Sequence, residues 1–337
     1  YLVADGRYDY LETGSLIRLK KNVQDIIIPS EEEHIELHPM DFEEFLWAMG
    51  DEATMPLIRQ CFEKRQPLGA ALHRKIMNDF RQYLLVGGMP QSVLAYLDGK
   101  NFEASDEAKR RILRLYREDV AKFAPGYEDK VYAVFDGIPG QLSKKEKKYK
   151  LASLGKNARF RSYEDSFIWL GEAMIVNPCF NATDPNVGLA LSADHATQKC
   201  YMADTGLLVT HTFMDGAYTD NELYRAILFD KLDINEGMIM ENAVAQMLRR
   251  NGHKLYFYSR SDNVNRENHM EIDFLITQRK KICPVEVKSG NYHAHSSLDK
   301  FRRKFSGKLG QSYILYTKDV MEKDEILHLP VYMAGLL

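Results

Sequence analysis

The sequence predicts an α/β protein of several domains. Apolar residues follow helical spacing through most of residues 41–123, which predicts a helical region. From about residue 128, short helical patterns, a basic stretch and a strand pair follow. The last hundred residues change period and are predicted as helix, three strands, helix and strand. This succession places a helical region before a C-terminal α/β domain.

Length and composition agree with this fold class and exclude several others. The 337 residues are enough for two or three domains that each bury a core. With Lys+Arg 45 against Asp+Glu 48, the net charge of −3 excludes a uniformly basic nucleic-acid coat but not a local basic patch. No apolar run approaches the roughly 20 residues of a membrane helix, so we expect no membrane partner. The four cysteines are scattered singly, which favours a cytoplasmic location.

The N-terminal part predicts the edge of a sheet followed by helices. Ile26–Ile28 and Ile35–Pro39 have the composition of short strands, and Asp41 with Glu44 three residues later has the pattern of a capping box. Further helices are expected over residues 53–65, residues 68–85 and, with Ser105 as the cap, residues 105–123.

Residues 128–191 have the pattern of a winged helix-turn-helix. We expect helices over about 129–137, after Gly140 and after a cap at Ser162, with a strand pair after Ile175 as the wing. The cations of this stretch predict DNA contacts. They are Lys144, Lys145, Lys147, Lys148, Lys156, Arg159 and Arg161. The alternative is a small packing domain with a solvated lysine face.

The C-terminal residues predict a sheet flanked by two helices. The expected elements are a helix Glu236–Arg250 capped near Asn235, strands at 254–260, 271–277 and 282–289, a helix at 297–305, a strand at 312–318 and a strand-like tail at 326–333. The second and third strands form a hairpin through the turn Gln278–Lys281.

The register of this hairpin brings charged residues together. A symmetric turn pairs Asp273 with Glu286 and Glu271 with Lys288, and the period of two places all four on one face. The other face is predicted to be apolar and consists of Ile272, Phe274, Ile276, Val285 and Val287.

Two facing carboxylates need compensation. At about 5 Å and an effective dielectric constant of about 20, they repel by roughly 3 kcal/mol. Mg²⁺ favours one or two carboxylates together with water and phosphate oxygens. We therefore predict that Asp273 and Glu286 are metal ligands.

Two further features lie beside this predicted site. Glu241 is a polar insertion on the apolar stripe of the preceding helix and would lean over the sheet, although a surface salt bridge is the alternative. The helix at 297–305 alternates aromatic residues with cations and predicts contacts to a phosphate backbone through Lys300, Arg302 and Arg303. A solvated amphipathic helix is the alternative there.

The pattern D-x₁₂-E-x-K within this element order resembles the PD-(D/E)XK nuclease-like fold. The resemblance implies that Asp273 and Glu286 hold Mg²⁺, that Lys288 positions or polarises the attacking water, and that Glu241 matches the helix acid of some members. Asp273 follows Glu-Ile where the name of the family has Pro.

A wider set of motifs resembles a bacterial and archaeal family of AAA+-type ATPases with a C-terminal domain of unknown function. The motifs are Glu12-Thr-Gly-Ser15, Leu37-His-Pro-Met-Asp-Phe-Glu-Glu-Phe45, Val86-Gly-Gly-Met-Pro90, Lys199-Cys-Tyr-Met-Ala-Asp204-Thr-Gly-Leu-Leu208 and the D…E-x-K pattern. The resemblance covers essentially the whole chain. It implies that Thr13 and Ser15 belong to a nucleotide sensor.

The resemblance also implies an arrangement of domains. These are the C-terminal edge of an ATPase core at 1–50, a helical lid at 51–126, a winged helix at 127–190, a connector at 191–235 and a restriction-endonuclease-like αβββαβ domain at 236–337. No G-x-x-x-x-G-K-[ST] motif occurs, and the chain opens at Tyr1 without Met. We therefore expect a P-loop upstream, which ATP with Mg²⁺ would require.

Three functions remain open on the sequence alone. The first is an ATP-driven DNA-processing or defence protein whose C-terminal domain cuts DNA with Mg²⁺. The second keeps the ATPase and DNA contacts but makes the C-terminal domain an inactive binding platform. The third is a regulatory or toxin-antitoxin-like module with a protein partner. A homo-oligomer is compatible with each of them.

Overall fold

The described residues form a helical region followed by a region built on one mixed sheet. In the computed structural model they are residues 11, 13–14, 35–144, 148–156, 158–214, 221–222, 224, 236–260, 269–290 and 295–337. Both regions contribute to one large core. No helix in this part of the chain has the length and apolarity that a bilayer crossing requires.

The helices and strands follow in this order. The α-helices are α1 Phe42–Ala48, α2 Thr54–Lys64, α3 Ala70–Val86, α4 Pro90–Leu97, α5 Phe102–Phe123, α6 Glu128–Ser143, α7 Glu164–Glu172, α8 Thr205–Thr212, α9 Glu236–Arg250 and α10 Ser296–Phe305. The strands are β1 Val176–Ala182, β2 Ala193–Met202, β3 Leu255–Arg260, β4 Met270–Gln278, β5 Lys281–Lys288, β6 Ser312–Tyr316, β7 Met321–Lys323 and β8 Ile326–Pro330.

Local capping explains where two helices of the first region begin. The predicted capping box of α1 is confirmed, because the Glu44 N–H donates to Asp41 and the Asp41 N–H donates to Glu44, each at 2.8 Å. The predicted cap of α5 is wrong. Asn101 accepts from the first free N–H groups of α5, whereas Ser105 lies buried inside the helix with its hydroxyl 2.8 Å from that of Ser92. Asn is as good an N-cap as Ser, so the earlier residue begins the helix.

The predicted break at Gly140 is also wrong. Helix α6 runs unbroken through Pro139, which removes one backbone hydrogen bond. Its buried face includes Val131, Val134 and Ile138, and this burial stabilises the helix across the proline.

Two other sequence predictions fail locally. Ser162 ends a 3₁₀ turn, and α7 begins at Glu164 without a side-chain cap. Residues 35–40 are not a strand and instead form a segment in which Glu36 pairs with Arg249 at 2.7 Å. Ile26–Ile28 and Asn235 lie outside the described residues.

The predicted helix, strand and helix order of the C-terminal residues is confirmed, and β8 lies within the predicted strand-like tail at 326–333. Strand β7 was not predicted. The eight strands lie in the order β2-β1-β3-β4-β5-β6-β8-β7. Pairs β1–β3, β5–β6 and β6–β8 are parallel and the others are antiparallel, so the sheet is mixed. The predicted wing thus contains only β1, whereas β2 lies in the predicted connector, and both strands extend the same sheet as the C-terminal strands.

Two cores cover the two faces of this sheet. Helix α9 packs across β1, β2, β3 and β5 in the larger core, which includes Phe257, Phe274 and Val285. Helix α10 packs on β4 in the smaller core through Leu298 and Phe301. The sheet is therefore buried on both faces around β4 and β5.

A close backbone contact joins the helical region to the sheet region. Asp204 caps α8 by accepting from the Leu207 N–H at 2.8 Å, and its other oxygen accepts from the Gly88 N–H at 2.6 Å. A Cβ at Gly87 would lie 2.3 Å from the Asp204 carboxylate, and one at Gly206 would lie 2.5 Å from the Gly87 Cα. These glycines are needed because the backbones approach too closely for a side chain.

Candidate active site

The β4–β5 hairpin has the register that its sequence predicts. Phe274 pairs with Val285 and Gln278 with Lys281, and the two-residue turn at Arg279 and Lys280 has positive φ at both positions. That geometry is the type I′ turn which suits the twist of two antiparallel strands. Asp273 and Glu286 are the next residues beyond the last paired positions, at the open end of the hairpin.

A bulge in β4 changes which face its residues occupy. Tyr256 pairs with Leu275 and Tyr258 with Ile272, so the single residue between them on β3 is opposed by Asp273 and Phe274. Ile272 consequently joins the smaller core while Phe274 joins the larger one. The predicted common apolar face of Ile272 and Phe274 is therefore wrong, because strict alternation does not anticipate the extra residue.

The same bulge separates the faces of the predicted metal ligands, so the prediction that Glu271, Asp273, Glu286 and Lys288 share one face is wrong. Asp273 turns toward α9, where the charge of Glu241 acts on it. Glu286 lies between Val285 and Val287, which both contact the larger core, and therefore turns toward α10. The charge of Glu286 still raises the pKa of Asp273, because both carboxyl groups lie at the gap where the strands separate.

The Asp273 carboxyl group occupies that gap. Its Oδ2 accepts a hydrogen bond of 2.8 Å from the backbone N–H of Val287, which regular pairing would direct at β4. Burial, together with the charge of Glu241, raises the pKa of Asp273 to about 7, although Lys199 and this hydrogen bond oppose the shift. Asp273 therefore exchanges its proton near neutral pH.

Glu286 and Lys288 form an ion pair on the α10 side. The Lys288 Nζ lies 2.8 Å from Oε2 of Glu286, an oxygen that is buried and makes no well-directed hydrogen bond. Burial raises the pKa of Glu286, and the Lys288 ammonium opposes the shift. The charges of Asp273 and Glu271 also raise the pKa of Lys288, so acids on both sides of the sheet act on this lysine.

Glu241 belongs to a polar contact that the sequence did not predict. Its Oε1 lies 2.9 Å from Nζ of Lys199 and accepts a hydrogen bond from the hydroxyl of Tyr201, and both partners come from β2. The Lys199 Nζ also lies 3.5 Å from Oε1 of Glu271. The prediction missed Lys199 and Tyr201 because they precede the hairpin by about 70 residues in the sequence. A lysine that interrupts the apolar end of β2 was the available signal.

The donor chemistry of this cluster fits a hard divalent cation. Glu241, Glu271, Asp273 and Glu286 are opposed by Lys199 and Lys288, so four carboxylates against two ammonium groups leave a charge of −2 when all are ionised. No group of three or more His, Cys, Asp or Glu within the described ranges is arranged as a metal site. One or two carboxylates with water and phosphate oxygens are nevertheless the usual Mg²⁺ ligands in such sites.

The predicted DNA-binding cations lie in two places. Lys144, Lys148, Lys156, Arg159 and Arg161 are exposed between the end of α6 and the start of α7. Lys145 and Lys147 are outside the described residues. On α10, Arg303 is exposed, whereas Lys300 and Arg302 are half-buried and Arg302 pairs with Glu325 at 3.2 Å.

The predicted nucleotide sensor is described only in part. Thr13 is exposed, and Ser15 lies outside the described residues.

Two family models match separate parts of the chain. A domain of unknown function, DUF8612, matches residues 77–217, and another, DUF4143, matches residues 236–332. The second is commonly found in AAA-ATPase-associated proteins. No curated protein and no solved structure matches this chain. The boundary between the two matches separates Lys199 and Tyr201 from the acids that they contact.

Proposed function

We propose that this chain is the DNA-processing part of an AAA+-type ATP-binding protein, with a Mg²⁺-dependent nuclease-like domain at residues 236–337. The observation that carries the proposal is the acidic gap between β4 and β5, where Asp273 has a pKa of about 7 beside Glu241, Glu286 and Lys288. Perturbed carboxyl groups next to a lysine are typical of catalytic sites.

In this proposal Asp273 and Glu286 would hold the cation from the two sides of the sheet, at the gap where β4 and β5 separate and where the charge of Glu286 acts on Asp273. Bound Mg²⁺ would polarise the phosphodiester and make a bound water more acidic. The Val287 N–H fixes one oxygen of Asp273, which leaves the other free to bind. The Glu286 carboxylate fixes the Lys288 ammonium, which would orient the attacking water and attract the phosphate.

The decisive test is cleavage of plasmid and single-stranded DNA with and without Mg²⁺. The proposal expects Mg²⁺-dependent cleavage that Asp273→Ala and Lys288→Ala each reduce at least about a hundredfold, since each removes a ligand or a positioned proton donor. Lys75→Ala is the control, because Lys75 pairs with Asp51 and Asp79 on the surface of the helical region. Equal activity of Asp273→Ala and wild type would remove the nuclease proposal.

The DNA-binding part of the proposal rests on the exposed cations between α6 and α7. The triple variant Lys156→Ala/Arg159→Ala/Arg161→Ala should weaken DNA binding and lower the log–log salt slope by about 0.9 for each phosphate that the variant no longer neutralises. Fluorescence anisotropy at several salt concentrations measures both quantities. An unchanged slope would exclude these residues from the DNA interface.

One observation favours a second function. Lys199 already neutralises Glu241 and Glu271, as expected of a nuclease-like domain that serves as a binding platform. DNA binding with a steep salt slope and no cleavage at any Mg²⁺ concentration would support this alternative.

The nucleotide part of the proposal needs a P-loop, which these 337 residues do not contain. ATP binding by the natural reading frame, lost on substitution of a P-loop lysine, would support it. A natural reading frame without a P-loop would remove it.

A further inference from the structure

Lys199 reaches the acid site from a distant strand. In the sheet order β2-β1-β3-β4, strands β2 and β4 lie about 14 Å apart. The Lys199 side chain passes over the Phe257 ring, with Nζ 5.4 Å from its centroid, and ends 3.5 Å from Glu271 of β4. The side chains of Lys199 and Glu271 together span the distance between their strands, which places the ammonium group among the acids.

Burial of this ammonium group costs free energy of hydration unless neighbouring carboxylates pair with it. Lys199 is 6% exposed, and a buried ammonium loses its hydration. Its direct partner is Glu241 at 2.9 Å, and the charge of Asp273 also acts on it. A lysine that served only to pack β2 against α9 would not need to end at these carboxylates.

We infer that Lys199 is a built-in counter-ion of the acid site, whose positive charge opposes the binding of a divalent cation such as Mg²⁺ or Mn²⁺ at the neighbouring carboxylates. The inference rests on the proposed cation site at Asp273 and Glu286. Without the cation, Lys199 holds Glu241 and Glu271 in place. With the cation bound, Lys199 is a like-charged neighbour that weakens binding.

This arrangement couples the two matched parts of the chain. Lys199 lies in the stretch matched by DUF8612, and the acids lie in the stretch matched by DUF4143. Because the charge of Asp273, a proposed ligand of the cation, also acts on Lys199, cation binding changes the electrostatic interaction between β2 and α9. Lys199 is thus a positioning residue that sets the affinity of the site for its cation.

The test is calorimetric titration of the metal-free protein with Mn²⁺. Lys199→Met should bind Mn²⁺ at least about tenfold more tightly than wild type, because it removes a like charge close to the cation. Lys199→Arg keeps the charge and should stay within about threefold of wild type. Mn²⁺ affinity of Lys199→Met equal to or weaker than that of wild type overturns the inference, as does absence of binding in every variant.

A second pair of variants guards against misfolding of Lys199→Met. In the Glu241→Gln background the direct partner of Lys199 carries no charge, so Lys199→Met leaves only Glu271 without its cation. Adding Lys199→Met there should still tighten Mn²⁺ binding several-fold. No tightening there overturns the inference. The proposed nuclease function is judged separately, by DNA cleavage. If the variants show the expected order of Mn²⁺ affinities but no DNA is cleaved, the nuclease proposal is rejected and the counter-ion role of Lys199 is retained.

Discussion

Two buried lysines, Lys109 in the helical region and Lys199 in the sheet region, carry the same charge in different surroundings. Burial lowers the pKa of Lys109 to about 8, although the charge of Asp106 opposes the shift. Burial acts in the same direction on Lys199, but the charges of Glu241 and Asp273 outweigh it and raise its pKa above the ordinary range. Burial alone therefore does not decide the state of either group.

The two lysines differ in whether the neighbouring carboxylates already pair with other groups. Asp106 accepts hydrogen bonds from Arg110 at 2.7 Å and from Tyr224 at 2.8 Å, so its charge is largely satisfied without Lys109. The Lys109 ammonium donates to the Leu85 carbonyl at 2.5 Å instead. At the acid site, by contrast, carboxylates outnumber ammonium groups. The single carboxylate of Asp106 has Arg110 and Lys109 as cationic neighbours, whereas the acid site has an excess of negative charge that a ligand can use.

The largest effect is expected from removing Lys199. Lys199→Met leaves Glu241 and Glu271 without their cation, and we expect a loss of about 2–4 kcal/mol in the free energy of unfolding at pH 8. Denaturant titration measures it. Lys308→Met is the control, because Lys308 pairs with Asp184 on the surface and should cost at most about 1 kcal/mol. Equal losses in the two variants would contradict the described role of Lys199.

The next effect concerns Lys109 at alkaline pH. Because its folded-state pKa of about 8 lies below that of the unfolded chain, the unfolded state binds more protons between pH 8 and 10.5. The free energy of unfolding should therefore rise over this interval, by about 3 kcal/mol from this group. Lys109→Met should lack that contribution to the rise. Equal pH slopes of the free energy of unfolding in wild type and Lys109→Met would contradict the comparison of the two lysines.

The sequence made much of the hairpin predictable because local chemistry controls it. The two-residue turn at Arg279 and Lys280 fixes the register, and the period of strand and helix fixes the order of elements around it. The bulge at Asp273 and Phe274 was not predictable, because it depends on how β3 pairs with β4. That bulge decides on which side of the sheet Asp273 lies.

Contacts between distant segments were the other limit of sequence analysis. The sequence predicted that Glu241 lies beside the site but did not predict Lys199. The position of Lys199 depends on the pairing of β2 with β1 and of β1 with β3. Likewise, Gly88 was visible as a helix end, whereas its hydrogen bond to Asp204 spans 116 residues. Tertiary pairing, which has no local signature, creates both contacts.

A smaller effect is expected at Asp273 in metal-free buffer. Its folded-state pKa of about 7 exceeds that of the unfolded chain, so the folded state binds more protons between about pH 4 and 7. Stability should therefore fall as pH rises through this interval. Asp273→Asn should remove this fall and stabilise the protein by about 1–3 kcal/mol at pH 8. Thermal unfolding in chelator at pH 5 and pH 8 measures the change, and Asp98→Asn at the exposed end of α4 serves as control.

The most direct test of the account is whether the excess negative charge at the β4–β5 gap binds a divalent cation. Isothermal titration of wild type with Mg²⁺ at pH 8 should show one ion bound per chain, and Asp273→Asn/Glu286→Gln should show none. Wild type without bound Mg²⁺, or a double variant that binds it as wild type does, would contradict the account.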